Sequence, residues 1–284
     1  MKLVSGGVWI FFLFGAVSAA EAGVVVSASG NSAIANVSLS SGGPAYTAEI
    51  TITFSGAQNL NPTELNLSAQ LVDPSDPGLL ARLPACPVPS LGCVTIDPNF
   101  PLLISVEPLS LATGNLSFLN SYTIEVHTAN LNYEPYIHYR LDKASFTGAF
   151  SDISTAIDSG SVRARGSGGT FSQFLIVSDA RSSMAVEQQK QTSLQARILS
   201  SALSDALHDQ LLGLLDNVSA AAAVGNYASA VANVDQLINI VQANAGTNIA
   251  NAWSSSHLLA NDAGDLLSLA RTLRFTLVRL QNGH

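Results

Sequence analysis

"TFSQFLIVSDARSSMAVEQQKQTSLQARIL", residues 170–199, holds a change of side-chain rhythm. Its first part reads as a strand, in which Phe171, Phe174 and Ile176 can supply core. After Asp179 the texture turns to Ala, Leu, Ser, Gln and Asn, and no proline follows Pro135. The stretch from Asp179 to Leu199 suits a helix but carries a sparse apolar stripe, so it reads as a first helix or a helical connector.

Further on the helical rhythm is plain. Leu203, Leu207, Leu211, Leu214, Leu215 and Val218 recur at spacings of three and four. So do Tyr227, Val231, Val234, Leu237, Ile238 and Val241, and a third set runs from Leu259 through Leu266, Leu267 and Leu273 to Leu280. Gly225 with Asn226 ends one helix and caps the next, and Gly246 ends that one. A single amphipathic helix cannot bury its stripe, so three or four must pack together, antiparallel across short connections. Each buried Leu, Ile or Val is worth ~1.5–3 kcal/mol, which offsets the ordering cost only if the stripes meet.

Before residue 180 the period is two. In "AEITITF" Ile50, Ile52 and Phe54 face one way; in "YTIEVHT" Tyr122, Ile124 and Val126 do. "TELNLSAQL" reads the same way, with Leu65, Leu67, Ala69 and Leu71 on one face. "SVRARG" and "TFSQFLIV" read as a terminal hairpin across Gly166–Gly169, with Arg163 and Arg165 sharing its other face. Turn clusters such as "SSGGP", "DPSDPG" and "GSGG" separate the strands. The expectation is a multidomain β plus α chain: an antiparallel Ig-like β-sandwich over 23–179, then an antiparallel three- to four-helix bundle over 180–284. The Cys…Trp…Cys pattern of true immunoglobulin domains is missing, so the likeness is architectural.

Residues 1–22 read as a signal peptide: Lys2, a ten-residue apolar core "VWIFFLFGAV", then small residues, with Ala19, Ala20 and Ala22 as cleavage positions. Export fits the two cysteines, Cys86 and Cys93, which flank "PVPSLG" and are expected to pair as a local staple worth roughly 2.5 kcal/mol. The expected location is secreted or periplasmic. Residues 21–179 carry 5 Lys/Arg and 13 Asp/Glu, and residues 180–284 carry 6 and 7, with no basic cluster in either. Such a chain is a poor partner for nucleic acid or anionic lipid, and no membrane span is expected after signal cleavage.

Two resemblances follow from these residues. "LLGLLDNVSAAAAVGNYASAVANVDQLINIVQANAGTNI" followed by "HLLANDAGDLLSLARTL" resembles the FIMAH helical module found at the C-terminal end of secreted bacterial proteins. Leu211 to Leu215, Gly225-Asn226-Tyr227, Leu237-Ile238, Gly246, Ile249 and Leu266-Leu267 carry it; "ANAWSSSHLL" departs from it. The resemblance implies an accessory role and no chemistry. The strand order from "PLLISVEP" to "FSQFLIV" resembles ZU5-like sandwich modules of extracellular and scaffold proteins.

Among candidate sites, no Gly-x-Ser-x-Gly, His-Glu-x-x-His or P-loop pattern is present. His127 and His138 could lie near each other on adjacent strands, but a zinc site needs a third ligand. Asp205, His208 and Asp209 share a helical face that reads as solvated. Asp73 and Asp76 in "DPSDPG" read as a turn, with a calcium loop as the alternative. Tyr133, Tyr136 and Tyr139 form a candidate binding surface, although Tyr136 and Tyr139 fall on opposite faces of a regular strand. Trp253 reads either as a binding anchor or as a plug at one end of the helices. No catalytic residue, metal or cofactor is expected. The expected function is that of a non-catalytic interaction or structural module whose partner is an envelope or extracellular protein, or a glycan. The alternatives are a carbohydrate-binding accessory protein and a hydrolase using Glu107, Glu125 or Glu134.

Overall fold

The computed structural model describes residues 23–86, 93–110, 115–133, 138–158 and 160–283. Residues 1–22, where a signal peptide is expected, and Glu134 and Tyr136 lie outside the described residues. The elements in chain order begin with β1 (Gly23–Ser29), β2 (Ser32–Leu39), β3 (Tyr46–Phe54), β4 (Ala57–Gln58), α1 (Pro62–Leu65), β5 (Leu67–Leu71) and α2 (Pro77–Leu80). Next come β6 (Val94–Ile96), β7 (Leu102–Val106), β8 (Ser117–Leu119), β9 (Tyr122–Asn132), β10 (Tyr139–Ala144), β11 (Ser151–Asp152), β12 (Ser154–Asp158), β13 (Ser161–Gly168) and β14 (Gln173–Asp179). The chain finishes with α3 (Ser183–Ser200), α4 (Asp205–Ala223), α5 (Tyr227–Asn244), β15 (Ala252–Ser254) and α6 (Asp262–Gln281).

The strands form a first sheet ordered β1-β2-β3-β9-β13-β12 and a second ordered β11-β10-β14-β7-β5, with β6 also on β14. The strand pairings are antiparallel, as the short turns require. Alternation sets which residues meet. Ile50, Ile52, Ile124, Val126 and Val162 from the first sheet share one core with Leu102, Ile104, Leu141, Phe174 and Ile176 from the second. The far side of the second sheet buries Leu175 and Val177 under Leu79 and Leu83 from the α2 segment. Cys86 and Cys93 are disulfide-bonded, joining that segment to the start of β6.

Two sequence expectations change here. "TELNLSAQL" is not one strand: Asn61 caps a helical turn with Pro62 in its first position, and Asn66, at φ 47°, ends it before β5 begins. Nor do β13 and β14 form a hairpin. Both edges of β13 are taken, by β9 and β12, so after Gly168 the chain crosses to the second sheet. Gly169 lies on that crossing, against the start of α6. A Cβ there would come within 2.5 Å of the Asp265 backbone nitrogen, so only glycine admits the approach.

The helical rhythm holds after Asp179. The sparse stripe is a full helix, α3, and its buried side includes Glu187 and Lys190 beside Val186, Leu194 and Ile198. Asn226 caps α5, as its position after Gly225 predicts. The last helix starts later than its stripe suggests: Asn261 caps it, and Leu259 is exposed outside it. The four helices bury Leu211, Val218, Val234, Leu237, Leu266 and Leu273 in a second core.

The two parts are joined by more than a link. Between α5 and α6 the chain returns to the strands, and β15 pairs with β8 in a small sheet that also holds β4. That return is the "ANAWSSSHLL" departure. It places Trp253, 4% exposed, in the core of the strands, stacked on Phe118 and edge-on to Phe171. Asn261 adds a second tie: while its Oδ1 accepts from Gly264 at the start of α6, its Nδ2 donates to the carbonyls of Asn120 and Gly169.

Candidate functional site

In a chain where only 11% of residues are charged, six charged side chains are buried together where the second sheet meets α3 and α6. Strand alternation explains half of this. On β10, Tyr139 and Leu141 face the shared core, so Arg140 and Asp142 face the other way. On β14, Asp179 follows Leu175 and Val177 on that same side. Asp152 sits directly opposite Asp142 in the β10–β11 ladder. The remaining charge comes from Arg181, just past β14, and from Lys190 on α3.

Arg181 lies 2.8 Å from Asp179, and Arg140 stands 3.4 Å from Asp152 and 3.9 Å from Asp179. Lys190 Nζ is 2.7 Å from Asp152 and also donates to the Thr272 carbonyl and the Thr276 hydroxyl of α6. Strand, α3 and α6 are thus pinned at one ammonium. Arg279 of α6 adds a hydrogen bond to His138 Nδ1 just before β10.

The facing carboxyls are pushed apart. Burial raises the Asp142 carboxyl well above its ordinary value, and the Asp152 and Asp179 charges add to this. Neither Asp142 oxygen has a hydrogen-bond partner among the described residues. Burial also works against the Asp152 carboxylate, but Lys190 and Arg140 outweigh it and hold the group down to about 2. Burial lowers Lys190 to about 8 despite Asp152. Split carboxyl pairs of this kind mark acid–base sites when substrate can reach them. Here Arg140 and Asp142 are each 1% exposed, and the cluster ties the sheet to the helices.

The residues singled out from sequence do not gather at this junction. Tyr139 is buried in the shared core and its hydroxyl donates to Asp97; Tyr133 is half-buried; Tyr136 lies outside the described residues. Trp253 is neither a surface anchor nor a plug for the helices, because β15 carries it into the strands. His127 bonds Ser161 on the first sheet, so its neighbours are β3 and β13, while His138 leads into the second sheet; the two are not on adjacent strands. His208 bonds the Ile198 carbonyl. Asp73 holds Ser75 and Asp76 caps α2, so both serve the turn. Glu125 is gripped by Arg163 and Arg165 from the neighbouring strand; burial works the other way, but the two guanidiniums keep its carboxyl below the usual range. Glu107 ends the β7 segment on a different sheet, and its carbonyl accepts from Asn66.

A family described as a family of unknown function (DUF6689) matches residues 9–281. The chain belongs to that family. Neither a search of curated proteins nor one of solved structures finds a match. The DUF6689 match runs across both the strands and the helices, and across β15 between them. Sequence reading missed the DUF6689 junction because its residues lie in five separate elements. Two signals were present: Lys190 in the middle of a sparse stripe, and Arg140 and Asp142 at alternate positions of an otherwise apolar strand.

The split carboxyls give a pH test. The folded-state value of Asp142 lies above its ordinary 3.8, so this group takes stability away as pH rises from about 3.8 toward that folded value. The folded value of Asp152 lies below 3.8, so its contribution is full above that pH and disappears as pH falls through about 2. Asp142→Asn keeps the shape and removes only the ionisation. It is expected to raise the melting temperature at pH 7 and leave it unchanged at pH 3, read by calorimetry. A lower melting temperature at pH 7 would mean that Asp142 is ionised and paired in the fold.

Proposed function

We propose that this chain is an exported, non-catalytic interaction or structural module of the bacterial envelope or extracellular space, built as an Ig-like β-sandwich carrying an antiparallel helical bundle. The signal-like start, the staple between Cys86 and Cys93 and the resemblance of the helices to the FIMAH module support the location. No helix among the described residues is long and apolar enough to cross a membrane.

The observation that carries the non-catalytic reading is the engagement of the chemical groups. Glu125 is forked between two arginines, while His127, His138 and His208 each hold a neighbour. The split carboxyl pair, Asp142 and Asp152, is sealed beneath α3 and α6. A catalyst keeps its acid and base within reach of a bound molecule, whereas these are spent on packing. The burial of Tyr139 also removes a coplanar tyrosine platform as the place for a sugar.

The test combines fractionation with turnover. Expression with the native start is expected to yield a processed chain in the periplasm or medium, with both thiols blocked until reduced. A panel of glycoside, ester and peptide substrates is expected to show no turnover. An unprocessed cytosolic product overturns the location. Turnover that falls at least a hundredfold in Glu125→Gln overturns the non-catalytic reading.

A further inference from the structure

The outer face of the first sheet carries a row of hydroxyls. Thr53 of β3 lies opposite Thr123 of β9, which lies opposite Ser167 of β13. Over this row pass α5 and α6, and two adjoining cavities of about 360 and about 460 Å3 open between helix and sheet. Thr123 and Arg271 line both, so the two spaces meet at one guanidinium. The first is edged by Ser55, Asn120 and Gln242; the second by Thr155, Arg165, Arg274 and Phe275.

Charge balance singles out Arg271. Arg165 is held by Glu125, which it shares with Arg163, and Arg274 pairs with Asp235 at 2.6 Å. Arg271 has no carboxylate in salt-bridge range, and its one hydrogen bond among the described residues goes to the Ser121 hydroxyl. Burial alone lowers its affinity for its proton. A guanidinium has five N–H donors in a planar fork matched to an oxyanion. Beyond Glu125, which the two β13 arginines hold, the carboxylate on the same face of β3 is Glu49, four residues from Thr53 or roughly 13 Å away.

We propose that this cleft binds a hydroxyl-rich monocarboxylate, a uronate residue of an acidic glycan, with its carboxylate on Arg271 and its hydroxyls on Thr53 and Thr123; Ser167, buried at the end of the row, is held by the Ser268 hydroxyl. The planar fork of a guanidinium grips the two oxygens of a carboxylate side by side, which suits the acid group of a uronate. Hydroxyls and amides that both donate and accept suit sugar hydroxyls. Each cavity lies within the 300–1,000 Å3 range of ligand pockets, and the two together accommodate a disaccharide. The proposal rests on the reading of the chain as a binding rather than a catalytic module.

Titration calorimetry of the full chain at low salt tests it, using digalacturonate, neutral galactose and inorganic phosphate as probes. Digalacturonate is expected to bind. Arg271→Gln is expected to weaken that binding about tenfold to a hundredfold, the worth of a hydrogen bond to a charged group. Arg271→Lys keeps a point charge without the fork and is expected to fall between. Thr123→Val, which leaves Arg271 in place, is expected to weaken binding several-fold and serves if Arg271→Gln does not fold. Equal binding by galactose, tighter binding by phosphate, or unchanged affinity in both Arg271→Gln and Thr123→Val overturns the proposal. If digalacturonate gives no binding, the site fails and the non-catalytic reading stands. If it is bound and cleaved, the site stands and that reading fails.

Discussion

Lys190→Met is expected to lower folding stability by roughly 3–5 kcal/mol, the cost of removing one partner from a buried ion pair. Methionine keeps the length and most of the volume, so little of the loss comes from a cavity. What remains is Asp152 facing Asp142 across the ladder, with Arg140 as the cation left in salt-bridge range. The Thr276 hydroxyl and the Thr272 carbonyl on α6 also lose their donor. Urea unfolding reads the change as a lower midpoint with an unchanged slope. A double-mutant cycle isolates the cause. Lys190→Met with Asp152→Asn removes both charges and is expected to be more stable than the two single losses added together. A loss under about 1 kcal/mol for Lys190→Met, the range of exposed pairs, would show that water reaches the junction.

Trp253→Ala is expected to cost a further roughly 3–5 kcal/mol, as large-to-small changes of buried aromatic residues do. The indole stacks on Phe118 at 5.2 Å and meets Phe171 edge-on, so its removal opens a void beside both rings. The effect should reach the helices, because β15 sits between α5 and α6 and is anchored by this side chain. Wild-type unfolding followed by tryptophan emission and by helical circular dichroism is expected to coincide. The chain has two tryptophans, Trp9 and Trp253, so in a chain that starts at residue 23 the emission reports on Trp253. In Trp253→Ala, limited proteolysis is expected to cut near β15 at temperatures where the wild type resists. Separate transitions in the wild type would show that the strands and helices fold independently.

Much of the architecture can be read from local rhythm. Ile50, Ile52 and Phe54 reach the core as alternation predicts, and α4 and α5 bury the leucines and valines their spacing marks. Those signals are legible because each belongs to one element and depends on its own neighbours. Pairing is different. "SVRARG" and "TFSQFLIV" look like hairpin partners in sequence, yet β9 and β12 compete for the same edges and win. Trp253 gave a signal, an isolated aromatic in a polar link, but its destination depends on a gap in another sheet. Lys190 interrupts the sparse stripe of α3 and becomes sensible only beside Asp152, which strand pairing supplies. The candidate cleft was the least legible part, since Arg271 and the Thr53–Thr123–Ser167 row come together only through sheet register and helix placement.

The return of the chain through β15 also fixes an order of events during synthesis. Asn261 bonds Asn120, which lies 141 positions upstream. A ribosome releases the ring of Phe118 long before the indole that completes its stack, so the nascent polypeptide carries an unfilled apolar slot until residue 253 has emerged.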